Sequence, residues 1–236
     1  MPNWVFNTLV VEGDDQLNIS RLKKQVGAPF TRKYTDYKSI DGELKEVETE
    51  TTFNNPVFAF WNIVKPEDMH AYLHDEGTGI PDNPNDEKAW FQSNNWYDWN
   101  VRNWGTKWDV ASTDEEIYSE TSLIDEGIDD NQKYFLVYRF DTAWSPPIPV
   151  IEKLSKQYPS LKITLDYEEE TGWGGEIEFT DGQEIVLSEY GWQCRECSAQ
   201  LEETPWCDDC EYDMCPECGY GEPNEECEKH KEKVNG

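Results

Sequence analysis

Four pairs of metal-ligating side chains, each pair separated by two residues, dominate the end of this 236-residue chain. They are Cys194 and Cys197, Cys207 and Cys210, Cys215 and Cys218, and finally Cys227 and His230. A two-residue gap lets both side chains of a tight turn reach one ion, and eight ligands fill two tetrahedral sites. Gly219 relieves the backbone where the third knuckle bends. Soft thiolates with one imidazole select zinc over hard cations. The segment is short and poor in aliphatic residues, so metal must supply the stability that a core would otherwise give. The expectation is a module holding two zinc ions over residues 191–236. Thiol redox chemistry is the rival reading. It needs nearby positive charge to lower a thiol pKa, and the neighbours here are Glu196, Asp208, Asp209, Glu211 and Glu217. An iron–sulfur cluster is a further alternative.

Charge narrows the partners. The chain has 50 Asp+Glu against 20 Lys+Arg, a net charge of −30. Such a surface repels phosphate backbones and anionic membranes and favours a basic partner. The same acidity also serves simple solubility. Within the tail, thiolate-rich zinc sites add further negative charge, which argues against a DNA-binding finger and for a protein-binding finger or a structural cap. Eleven Trp, twelve Tyr and nine Phe supply the area for a real core. No apolar stretch approaches the roughly 20 residues of a membrane helix, and the start of the chain has no signal-peptide pattern. An odd number of cysteines arranged as CxxC fits a reducing compartment. A cytoplasmic location, that of a bacterial host, is expected.

Periodicity organises the rest. Residues 3–12 read as a strand, and Asp14-Asp15 caps a helix running to about Gln25. Asp41-Gly42 marks an exposed hairpin within 28–52. The apolar run Val57 to Val64 reads as a second strand, and Pro66-Glu67-Asp68 as the opening of a short helix. A loop is expected over 76–87, then a Trp-dense stretch from Trp90 to Trp108. The acidic segment Asp114 to Asp130 reads as a solvated helix face plus loop. Strands follow at Tyr134 to Phe140, Leu161 to Tyr167 and Glu176 to Phe179, with a helix from Pro147 to Tyr158 and a turn at Asp181-Gly182. The order predicts an α+β fold: a ferredoxin-like antiparallel sheet with helices on one face over residues 1–190, carrying Trp-rich and acidic insertions.

Three segments strengthen this reading: Met1-Pro2-Asn3-Trp4 with Asn7, then Asn103-Trp104-Gly105-Thr106-Lys107-Trp108-Asp109, then Phe140-Asp141-Thr142-Ala143-Trp144-Ser145-Pro146-Pro147. With Phe58 to Pro66, they make the chain resemble the YubB-type ferredoxin-like family carried by bacteriophages and conjugative plasmids. The resemblance covers most of residues 1–185. It implies the fold and a mobile-element origin, and no reaction. In the tail, Trp206 to Cys218 is similar to ZZ-type zinc fingers, which are cross-braced, although Cys227 and His230 replace that family's closing histidine pair. Sequential pairing of the ligands stays open.

On helical spacing, Trp104 and Trp108 share one face, where they pack beneath the sheet. The functional alternative makes Trp104, Lys107, Asp109 and Trp144 the lining of a pocket. His70 and His74 are four apart without a supporting ligand set, and no nucleophile elbow or phosphate loop is present. The leading expectation is therefore a non-enzymatic accessory protein that binds a host protein with a basic surface, with inhibition of a nucleic-acid-handling or defence factor as its sharpest form. Binding of single-stranded nucleic acid by the sheet and a metal-dependent enzyme of unknown reaction are the alternatives.

Overall fold

Alternating apolar residues build the central strand. In β1 (Trp4–Gly13), Val5, Leu9 and Val11 are buried while Phe6 and its neighbours on the other side face outward. A computed structural model describes residues 3–40, 42–74, 94–112 and 121–193, with the paired dipeptides 200–201, 206–207 and 212–213. Helix α1 (Gln16–Val26) begins where the Asp15 side chain accepts from the Leu17 N–H at 2.9 Å, and it buries Ile19, Leu22 and Val26. Next comes a hairpin, β2 (Phe30–Ile40) and β3 (Glu43–Phe53), turned at Gly42 with φ +83°. Two short helices follow, α2 (Met69–His74) and α3 (Trp96–Trp104). The chain then forms β4 (Ser122–Ile128), β5 (Tyr134–Ala143), α4 (Ile148–Gln157), β6 (Lys162–Glu169), β7 (Gly174–Thr180) and β8 (Gln183–Tyr190). Four two-residue strands end it: β9 (Trp192–Gln193), β10 (Gln200–Leu201), β11 (Trp206–Cys207) and β12 (Tyr212–Asp213).

Six strands form one antiparallel sheet in the order β4-β5-β1-β6-β7-β8. Without the last two strands, that order and the placing of α1 and α4 give the β-α-β-β-α-β arrangement of a ferredoxin-like unit. The hairpin, α2 and α3 are an insertion between α1 and β4. Helices α1 and α4 lie on one face of the sheet, against β1, β5, β6 and β7. There Leu136, Tyr138 and Phe140 of β5 meet Leu165, Ile177 and Phe179 in a continuous core with Val150, Ile151 and Leu154 of α4. The insertion joins the same core: Phe58 lies 5.0 Å from Tyr138 and 5.3 Å from Phe140 between ring centres.

Four expectations change. Val57 to Val64 is not a strand but a buried irregular segment with a 3-10 turn at Phe60–Asn62. Its buried N–H groups find a side chain in place of a neighbouring strand, because Phe60 and Trp61 donate to the two carboxylate oxygens of Asp109 at 2.8 and 3.0 Å. The ferredoxin-like unit's second strand is instead β4, inside the acidic segment that reads as helix and loop. As an edge strand with a solvated side, β4 tolerates Asp125 and Glu126. Trp104 and Trp108 do not share a helix face, since α3 ends at Gly105, whose φ of +86° turns the chain away. Finally, β8 extends the sheet past the Asp181-Gly182 turn, forming an outer edge on which Ile185, Val186 and Leu187 are exposed. The loop expected over 76–87 lies outside the described residues.

Candidate functional site

The Trp-rich motifs lock into each other. Thr106 Oγ1 donates to the Ala143 carbonyl at 2.9 Å and accepts from the Ala143 N–H at 3.1 Å. Ser145 Oγ donates to the Gly105 carbonyl. Asn7 Nδ2 donates to Thr142 Oγ1 at 3.0 Å, and the Trp144 N–H reaches the Asn3 carbonyl at 2.8 Å. A side chain at position 105 would fall 2.5 Å from Pro149 Cδ, so the glycine is required by contact as well as by φ. These residue types are thus explained by the junction of α3, β5, α4 and the start of β1.

The proposed pocket set divides in two. Trp104 is fully buried, with its indole N–H on the Val64 carbonyl at 3.2 Å. Asp109 is buried too, and accepts from Ala111 at 3.2 Å besides Phe60 and Trp61. Burial pushes its carboxyl above the ordinary range, against the opposing pull of Arg32 and the three N–H groups. Lys107 and Trp144 sit elsewhere, at the surface. The Lys107 ammonium lies 4.8 Å from the Trp108 ring centre and 4.9 Å from that of Trp144, with Tyr97 and Trp96 at 5.8 and 5.9 Å. Trp144 adopts φ +70°, uncommon for a bulky residue, and remains 43% exposed. Trp4 approaches the same cluster, 6.1 Å from Trp108.

On the inner side of Trp96 and Trp108 lies a cleft of about 340 Å³, between the β2–β3 hairpin, α2 and the segment after α3. Arg32 is its cation. The guanidinium carbon lies 5.4 to 5.8 Å from the ring centres of Trp61, Trp104 and Tyr72, and Nη2 donates to the Tyr72 hydroxyl at 2.7 Å. Tyr72 passes the chain on to Asn100 Oδ1 at 3.0 Å. Burial raises the Tyr72 pKa, with Arg32 opposing. Arg32 had no motif to reveal it in the sequence; only the hairpin's return over α2 places it here.

The sheet's other face has no helix on it among the described residues. It carries Phe6, 49% exposed, whose cross-strand neighbours are Asp141 and Glu168. Asp166 and Glu176 face each other on β6 and β7. Lys162 answers part of this charge, at 2.8 Å from Glu12 and 3.8 Å from Glu178. Glu168 and Asp166 add to burial in raising the Tyr190 pKa.

Of the eight predicted zinc ligands, Cys207 lies in β11, and the other seven are outside the described residues. Strand pairing nevertheless brackets two of the pairs in sequence. Gln193 pairs with Gln200 around Cys194 and Cys197, and Cys207 pairs with Tyr212 around Cys210. Among the described residues, no group of three or more His, Cys, Asp or Glu is placed to hold a metal. The His70 and His74 ring centres lie 4.9 Å apart with the rings tilted at 52°, and His74 is held between Glu46 and Glu48, each at 3.1 Å. No helix among the described residues is long and apolar enough to cross a membrane.

Residues 124–210 match a family model described as a ferredoxin-like domain in Api92-like protein. The match runs from β4 through β8 into the cysteine-rich tail, and it supports a ferredoxin-like family for this part of the chain. No curated protein matches the chain, and no solved structure does.

Proposed function

We propose that this chain is a non-enzymatic interaction protein of a phage or other mobile element, which binds a basic surface on a host protein. The observation that carries this reading is the sheet face on which no helix of the described residues lies. It combines the exposed ring of Phe6 with Asp141, Asp166, Glu168 and Glu176 on four adjacent strands. Interfaces concentrate affinity in a few aromatic anchors, and complementary charge steers the partner and sets the salt dependence. Trp144, held in a costly backbone conformation, supplies a second exposed ring. The same face disfavours the nucleic-acid alternative. Sheets that read single strands offer several stacking rings amid positive charge, whereas the partners of Phe6 are carboxylates. A host nucleic-acid-handling or defence factor, with a basic groove to fill, is the partner class this charge suits.

The tail holds two zinc ions in this reading, through Cys194, Cys197, Cys207, Cys210, Cys215, Cys218, Cys227 and His230. The two bracketing hairpins are the local structure that zinc knuckles need, and they support the fit. Bound zinc supplies folding free energy to the tail.

The test is capture of host protein by the purified chain at low salt, repeated with Asp166→Lys and Glu168→Lys together and in about 0.5 M salt. Recovery of one protein by the wild type, lost in both other arms, supports the proposal. Salt-independent capture, or a gel shift with single-stranded DNA or RNA, overturns it. Elemental analysis of the purified chain reads the metal separately, with two zinc ions per chain expected.

A further inference from the structure

We propose that the cleft beside Arg32 binds a small, flat monocarboxylate. Its volume of about 340 Å³ falls within the range of small-ligand pockets. Its walls include Phe53, Leu73, Trp96 and Trp108, which suit an apolar ring or chain. Arg32 gives the site its chemistry. The Nε atom of this guanidinium is buried and has no acceptor among the described residues, although Nη2 is satisfied by Tyr72. A charged donor short of an acceptor is costly to the folded protein, and the guanidinium that carries it belongs to a residue lining the cleft, so the cleft favours an anion. Asp109 also lines the cleft, but its oxygens take the main-chain N–H groups of Phe60, Trp61 and Ala111, which offset its charge toward a bound carboxylate.

The ligand class follows from shape and charge. Three aromatic rings hold the guanidinium, so its planar fork is fixed before anything binds. A carboxylate presents two coplanar oxygens to such a fork, and its remaining atoms meet the apolar walls. A phosphate would carry more charge into those walls, within a chain of net charge −30. An ammonium ligand would meet Arg32 as a like charge.

Titration of the full chain with benzoate, inorganic phosphate and benzylammonium tests this, read by tryptophan fluorescence and calorimetry. Benzoate is expected to saturate in about the millimolar range, and the other two to show no saturation. Arg32→Lys keeps the charge but loses the fork, and should weaken benzoate about tenfold or more. Thr51→Phe keeps the arginine and fills the cleft from the position paired with it on β3, and should abolish binding. Should Arg32→Lys fail to fold, Thr51→Phe decides alone. Lack of saturation by benzoate, equal response to all three probes, or benzoate binding that survives Thr51→Phe overturns the proposal.

Discussion

The two faces of the six-stranded sheet are made by the same strands and live by different rules. On the covered face, Leu9, Phe140, Leu165 and Phe179 are fully buried, and α1, α4 and the insertion exclude water from them. On the other face, one register step away, Glu176 stands beside Asp166 and Asp141 beside Phe6. Burial of apolar area stabilises the first face. Like charges set across strands oppose folding on the second. The difference teaches that the acidity of the open face is not needed to hold the fold, so its placement is free to answer to a partner.

Substitutions can break or sharpen that contrast. The largest loss belongs to the covered side: Trp104→Ala should cost about 3–5 kcal/mol in urea unfolding, because the indole is fully buried among Phe60, Trp61 and Trp99. Asp109→Ala should follow at about 2–4 kcal/mol, since it strands three main-chain N–H groups; Asp109→Asn, which keeps an acceptor, should cost less in the same measurement. On the open face, Asp166→Lys with Glu168→Lys should change stability by no more than about 0.5 kcal/mol while removing partner binding. A large stability loss there would erase the distinction between the faces.

The smallest effect is a pH dependence at the hairpin. His74 is raised by hydrogen bonds to Glu46 and then Glu48, and Glu48 is lowered by its bond to His74 and then by Lys33, 3.6 Å away. The imidazolium's contribution is full below its ordinary pKa and disappears as pH rises through the raised value. The Glu48 contribution is present above its ordinary pKa and disappears as pH falls through the lowered value. The β3 amides should therefore show their highest protection factors, exchange rates being corrected for the intrinsic pH dependence, between roughly pH 4.5 and 6.5. His74→Gln should flatten that profile.

Much of the architecture was legible where one face of an element is buried. Val5, Leu9 and Val11 alternate, and Asp15 announces α1, so both elements could be placed from their residues. Legibility failed where tertiary contacts replace local pattern. The run at 57–64 is apolar but for Asn62, which fits a buried strand as well as the irregular segment that Asp109 actually satisfies. Strands β4 and β8 have mostly exposed faces, so no alternation marks them. The four candidate pocket residues belong to one motif pair, yet Gly105 and the insertion send Trp104 and Asp109 inward and leave Lys107 and Trp144 outside. Arg32 comes from a distant hairpin, and no spacing rule reaches it.

The exposed row Ile185, Val186 and Leu187 on β8 has a consequence for how the protein behaves in bulk. An outer strand with three apolar residues in succession is a template onto which another chain can add. Here Glu184 and Glu189 flank the row as gatekeepers, within a molecule whose like charge keeps copies apart. Among the described residues no further strand pairs with β8, so this edge is guarded by repulsion. Repulsion of this kind is screened by salt, so high ionic strength is the condition under which edge-to-edge pairing of copies would begin at this strand.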